Sequence, residues 1–149
     1  MLRSAIREAG GMEIDSRADE FFAAIPDPTA ALRAAVSVQR QLATYPWPNG
    51  ARVKIRIGLH TGEPDRTPDG YVGMDVHLAA RVGAAGHGGQ IIVSETTHTA
   101  VGERLPEVSF EDLGRYHMKG VPRDVRLYQV AGTDMASAFA PLRAEPVSA

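Results

Sequence analysis

The chain has 149 residues, of which 44% are hydrophobic and 23% charged, as expected for one soluble globular domain. A net charge of −2, with scattered basic residues, argues against a nucleic-acid partner. The chain has no cysteine, which excludes disulfides and thiolate metal sites, and its apolar runs are shorter than the roughly 20 residues that a membrane helix needs. The N-terminus lacks a signal peptide, so a cytoplasmic protein without a membrane segment is expected.

The first third of the chain predicts a helix, a β-hairpin and a second helix. Apolar residues have helical spacing over residues 2–9, and a Gly-Gly pair ends this segment. Two short strands, Met12–Asp15 and Glu20–Ile25, are joined by a tight connection, which is typical of a hairpin. After two prolines, Ala30–Leu42 carries an apolar stripe at helical spacing.

The following residues alternate between strands and helices. Apolar residues occur at every second position over 53–59, which predicts a strand, and a polar loop follows over 64–70. Gly73–Ala85 predicts a helix of mostly small residues, and Gln90–Val93 a buried strand. The remainder predicts a short helix and short strands, the last of them Val125–Val130.

This order of elements predicts an α+β fold of the ferredoxin-like βαββαβ type that lacks the first strand. In that topology the first strand lies in the middle of the sheet, so its neighbours lose backbone hydrogen bonds without it. The predicted domain covers residues 1–130 and is incomplete at its N-terminus. Residues 131–149, rich in Ala, Pro and Ser, are expected to be a linker or a disordered tail.

Four side chains could carry chemistry, and each also has a simpler explanation. Asp19, at the start of a strand, could bind Mg²⁺ or be an ordinary turn residue. Arg81 could stabilise a transferring phosphoryl group or lie on a solvated helix face. His77, four residues earlier on the same face, could bond a phosphate or ribose, or a neighbouring loop. Lys119 could hold a terminal phosphate or be a solvated turn lysine.

Four collinear segments together resemble the class III adenylate/guanylate cyclase homology domain, in its actinobacterial form. The resemblance runs from about Leu2 to Val130. Any one segment would be a weak match, but four at the spacing of this family form a strong one. The segments are IRIGLHTGE (55–63), GYVGMDVHLAARV (70–82), GHGGQIIVSETT (86–97) and LGRYHMKGVPRDVRLYQV (113–130).

The resemblance implies an enzyme that converts ATP or GTP into a 3′,5′-cyclic nucleotide and pyrophosphate, with Mg²⁺ or Mn²⁺. It implies a head-to-tail homodimer, or a heterodimer with another cyclase domain, whose sites lie at the interface. Asp19 matches the second metal-binding aspartate, Arg81 the transition-state arginine and Lys119 the phosphate lysine. His77 stands at the transition-state asparagine position, and Asp15 stands at a purine-reading position.

The sequence also departs from this pattern. Gly70 takes the second purine-reading position and Ala18 replaces a turn glycine, while the family's first metal-binding aspartate has no counterpart. A single carboxylate holds two metal ions poorly, because each ion needs its own set of oxygen ligands. Three hypotheses stay open: a cyclase that is weak or inactive alone, a catalytically dead pseudo-cyclase that binds cyclase partners or a nucleotide, and a fragment whose start was assigned too late.

Overall fold

The computed structural model describes residues 1–17, 19–62, 65–67, 70–132 and 134–147. Within these ranges, none of the helices is both long enough and apolar enough to cross a membrane. The helices are α1 (Leu2–Glu8), α2 (Pro28–Thr44), α3 (Met74–Ala85) and α4 (Glu95–Val101). The strands are β1 (Met12–Arg17), β2 (Glu20–Ala24), β3 (Ile57–Leu59), β4 (Asp65–Thr67), β5 (Gly70–Val72), β6 (Ile91–Ser94), β7 (Val108–His117), β8 (Val125–Gly132) and β9 (Glu145–Pro146).

A five-stranded sheet forms the centre of the fold, in the order β3-β6-β8-β7-β9. Strands β3 and β6 are parallel, and the other neighbours are antiparallel. The β1–β2 hairpin is a separate two-stranded sheet, as is the β4–β5 hairpin. The α+β class is therefore confirmed, and no ladder in the described part of the chain joins the first hairpin to the central sheet.

Apolar residues pack on both faces of the central sheet. On one face, Ile91 and Val93 of β6 join a cluster with α2 and α4, which includes Leu32 and Val101. On the other face, Ile92 of β6 joins a second cluster with α3. Strand β6 is buried on both sides, which explains why its first three residues, Ile91, Ile92 and Val93, are all apolar rather than alternating.

Two segments differ from their predicted structure. The strand expected over 53–59 is restricted to Ile57–Leu59, because β3 pairs with β6 over these three residues only. Just before β3, the Ile55 carbonyl accepts a bond from the Gly89 amide outside the ladder. The loop expected over 64–70 contains β4 and leads into β5, so turn-type composition here conceals a short hairpin.

Part of the expected linker or tail, residues 131–149, lies on the domain. Strand β8 continues to Gly132, and β9 pairs with the end of β7. Between them, Leu142 packs against the second apolar cluster. The domain boundary near residue 130 stays a prediction, whereas the described residues 141–147 make backbone and side-chain contacts with the sheet and with α3.

Candidate active site

Helix α3 places two polar side chains beside the turn between β7 and β8. Leu78 and Val82 are fully buried against the sheet and fix the rotation of the helix. His77 and Arg81, one turn apart, then lie on a neighbouring side of the helix and are half-buried. Both reach the Lys119 region, as the spacing of four residues predicts for a shared face.

Arg81 and Lys119 line one open cavity of about 430 Å³. Arg81 comes from α3, whereas Lys119 is exposed in the turn that follows β7. Neither side-chain cation has an ion-pair or hydrogen-bond partner within the described ranges. The structure thus brings together the two residues that the resemblance assigns to phosphate chemistry.

His77 is tied to the same turn through a hydrogen bond. Its Nε2 donates to the Lys119 carbonyl oxygen over 3.0 Å, which requires a proton on that nitrogen. The adjacent Gly120 has φ +78°, and a Cβ at that position would come within 2.6 Å of the His77 Nε2. This contact is the one expected if His77 bonds a neighbouring loop, and it joins α3 to the turn that carries Lys119.

Asp15 and Asp19 lie on the β1–β2 hairpin, apart from the cavity. Asp15 belongs to β1 and Asp19 to the turn before β2, and both are exposed. Neither lines the cavity of Arg81 and Lys119. Across the described ranges, no group of three or more His, Cys, Asp or Glu side chains could hold a metal ion. The described residues of this chain therefore do not fit two Mg²⁺ ions by themselves.

A buried histidine, His60, lies beside α3. The His60 side chain is 2% exposed; its Nε2 lies 2.7 Å from the Asp75 carboxylate and its Nδ1 lies 2.7 Å from the Ser94 hydroxyl. These residues join the end of β3, the end of β6 and the first turn of α3. Ser94 is itself buried. The network holds α3 in place, and its members are too far apart in sequence for a periodic signal.

Several ionisable groups of the central sheet have shifted pKa values, among them Asp112 and Tyr116. The backbone amide of Gly114 and the guanidinium of Arg126 hold the pKa of Asp112 below its usual value. Burial raises the pKa of Tyr116, whose hydroxyl donates to the Leu113 carbonyl. Asp112 and Tyr116 both belong to β7, and the turn that follows this strand carries Lys119.

The fold and this arrangement of α3 with the β7–β8 turn define a nucleotide cyclase-like domain. The family model for the adenylate and guanylate cyclase catalytic domain matches residues 29–132. An adenylate cyclase structure from Trypanosoma brucei has a TM-score of 0.84 at 22% identity and covers 95% of this chain and 78% of its own. An adenylate/guanylate cyclase/hydrolase structure from Silicibacter pomeroyi has a TM-score of 0.78 at 31% identity, covering 87% of this chain and 76% of its own.

The chain belongs to the adenylate and guanylate cyclase catalytic domain family. Among curated proteins, an uncharacterized protein of Mycobacterium tuberculosis is 35% identical over 142 residues, covering 93% of this chain and 47% of that protein. The chain thus spans about half the length of the curated mycobacterial relatives it matches.

Proposed function

We propose that this chain supplies the phosphate-binding half of a nucleotidyl cyclase site, which forms a 3′,5′-cyclic nucleotide and pyrophosphate from ATP or GTP. The convergence of Arg81 and Lys119 on one cavity carries this proposal. Asp15 and Asp19 lie elsewhere on the surface, which fits a site completed by a second cyclase domain, in a homodimer or a heterodimer. By itself the chain is then weak or inactive. Its place of action is the cytoplasm.

The chemistry of this half is electrostatic. When the ribose 3′-hydroxyl attacks the α-phosphate, negative charge accumulates on the phosphate oxygens and on the departing pyrophosphate. The planar guanidinium of Arg81 offers several N–H donors to these oxygens, and the Lys119 ammonium acts as a mobile point charge. The bond from His77 fixes the backbone of Lys119, so that its side chain starts from a defined position.

A divalent cation is the cofactor that the family resemblance implies, Mg²⁺ or Mn²⁺. In this chain Asp19 is the candidate ligand, and it lacks a surrounding set of carboxylates among the described residues. We therefore assign the metal chemistry of a productive site to a partner with both metal-binding aspartates.

A complementation assay tests the proposal. The partner is a cyclase domain that keeps both metal-binding aspartates while its own transition-state arginine and phosphate lysine are replaced by alanine. Mixing it with this chain, Mn²⁺ and either ATP or GTP should restore cyclic nucleotide formation, which each protein alone lacks. No turnover in any mixture would overturn the proposal.

Variants of this chain show which of its residues contribute to the restored activity. Arg81→Ala should lower the restored rate about a hundredfold, since a lost transition-state donor has that effect. Arg33→Ala, at an exposed position on α2, removes the same charge and should leave the rate unchanged. Asp19→Ala should leave the restored rate unchanged, because the partner supplies both metal-binding aspartates. Equal effects of the two arginine substitutions would contradict the assignment.

The lack of a metal-binding group of side chains among the described residues also favours a second candidate, a pseudo-cyclase that binds a nucleotide or a cyclase partner without chemistry. A nucleotide that binds only the folded state raises the melting temperature. Titration with millimolar ATP should then stabilise the chain even where complementation fails. An unmoved melting temperature would count against a nucleotide-binding role.

A further inference from the structure

The cavity of Arg81 and Lys119 receives a third cation from the far end of the chain. Arg143 lines it together with them, and Glu145 and His117 complete its charged and titratable wall. Arg143 lies in residues 141–147, which we name the C-terminal segment. This segment begins well beyond residue 132, where the match to the catalytic-domain family model ends.

The C-terminal segment is attached to the cavity wall on both sides of Arg143. The Arg143 amide donates to the Ala85 carbonyl, at the end of α3, over 2.8 Å. Leu142 and Ala144, on either side of it, pack against the apolar cluster under α3. Strand β9 follows at once, and its residues pair with Tyr116 and His117 of β7. The backbone at Arg143 is therefore fixed beside the cavity, while its side chain is exposed.

The charges around the cavity do not cancel. In the part of the chain that the structure describes, Arg81, Lys119 and Arg143 make no side-chain ion pair. His117 has an acidic neighbour outside the cavity lining, Asp124, whose carboxylate lies 3.7 Å from its Nδ1. Glu145 is the acidic residue in the lining, so three permanent cations face one carboxylate. Like charges held close together repel unless an anion of several charges lies between them.

We propose that Arg143 is a further phosphate-binding residue, with which the C-terminal segment completes a polyphosphate site around Arg81 and Lys119. This inference rests on the proposed function for the location of the phosphates and extends it to a residue outside the matched catalytic domain. The ligand class is a chain of two or three phosphates, such as the pyrophosphate leaving group. The guanidinium groups of Arg81 and Arg143 and the ammonium group of Lys119 offer several N–H donors and positive charges to the oxygens of this phosphate chain.

Pyrophosphate binding tests the inference without a partner or turnover. Calorimetric titration of the full-length chain with sodium pyrophosphate gives the dissociation constant. Arg143→Ala should raise it about fivefold, a value typical of one partly solvated ion contact, and Arg143→Lys should raise it less. Arg7→Ala is the matched control, because Arg7 is an exposed arginine on α1, which packs against α2. Melting curves show that each variant is folded.

The outcomes separate this inference from the proposed function. Equal dissociation constants for Arg143→Ala and Arg7→Ala would overturn the inference about Arg143. A wild-type chain that does not bind pyrophosphate at millimolar concentration would also overturn it. Tighter binding after truncation behind Ala140 would also overturn it, because the C-terminal segment would then block the cavity. A different result would separate the two proposals. If complementation fails but Arg143→Ala still raises the dissociation constant for pyrophosphate about fivefold, the cyclase proposal is refuted and the phosphate-binding site is retained.

Discussion

The contact between Gly58 of β3 and Gly83 of α3 gives the sharpest test of how the candidate site is positioned. A Cβ added at Gly58 would overlap the backbone nitrogen and Cα of Gly83. No side-chain rotation can relieve an overlap between two backbones, so Gly58→Ala must push α3 away from the sheet. A Cβ at Gly83 points elsewhere and would lie 3.6 Å from the nearest atom of Gly58, an ordinary contact distance.

The two substitutions should therefore have opposite effects on stability. Overpacking of this kind costs about 3 kcal/mol, which corresponds to a fall of roughly 6–12 °C in the melting temperature of a chain of this size. Gly83→Ala should instead raise the free energy of unfolding by up to about 1 kcal/mol, because alanine is the better helix former.

Differential scanning calorimetry of both variants at one pH measures these shifts. Gly58→Ala should also weaken pyrophosphate binding, since α3 carries Arg81, whereas Gly83→Ala should not. A melting temperature of Gly58→Ala equal to that of wild type would refute the close approach of α3 and β3. Destabilisation of similar size in the two variants would refute the claim that only a Cβ at Gly58 clashes with the neighbouring backbone.

Three further substitutions test contacts near the site. His60→Ala removes a buried imidazole that bonds Asp75 and Ser94, and it should lower the free energy of unfolding in urea by about 2–3 kcal/mol; a change below about 0.5 kcal/mol would contradict the network. His77→Ala should cost about 1 kcal/mol for one lost hydrogen bond and weaken pyrophosphate binding; unchanged binding would show that the bond does not position Lys119. Asp112 has a lowered pKa, so its carboxylate stabilises the fold above the ordinary aspartate pKa of about 3.9 and loses this effect as the pH falls through the folded value. Melting temperatures of wild type and Asp112→Asn should therefore differ at neutral pH and converge in acid, and a constant difference would contradict the shift.

Much of the fold could be predicted because its signals are local. The apolar residues within one segment predict each of three elements: the helices α2 and α3, and the buried strand β6. Strand β3 was predicted too long, because the alternation over 53–59 does not reveal how many residues find a ladder partner. The β4–β5 hairpin was missed, because its loop-like composition hides the pairing.

In the candidate site, too, local features could be predicted from the sequence, whereas contacts between distant residues could not. The shared face of His77 and Arg81 follows from helix geometry, and Lys119 was assigned by resemblance. The bond between His77 and the Lys119 carbonyl joins residues 42 positions apart, so no spacing rule could reveal it. Arg143 was overlooked for a related reason. Composition alone marked residues 131–149 as a tail, whereas the contacts of Leu142 and Ala144 arise only after the sheet has formed.

The separation of the β1–β2 hairpin from the central sheet has a consequence for local opening. Among the described residues, its ladder is separate from the five-stranded sheet that contains β7 and β8. Proteins open locally in contiguous cooperative units that often coincide with supersecondary motifs such as a hairpin, with free energies up to that of global unfolding. The hairpin with Asp15 and Asp19 can therefore lose its structure while the cationic pocket stays intact. The acidic residues of the hairpin and the basic residues of the cavity then belong to regions of different local stability. A partner that stabilises the hairpin would change the local stability around Asp15 and Asp19 only.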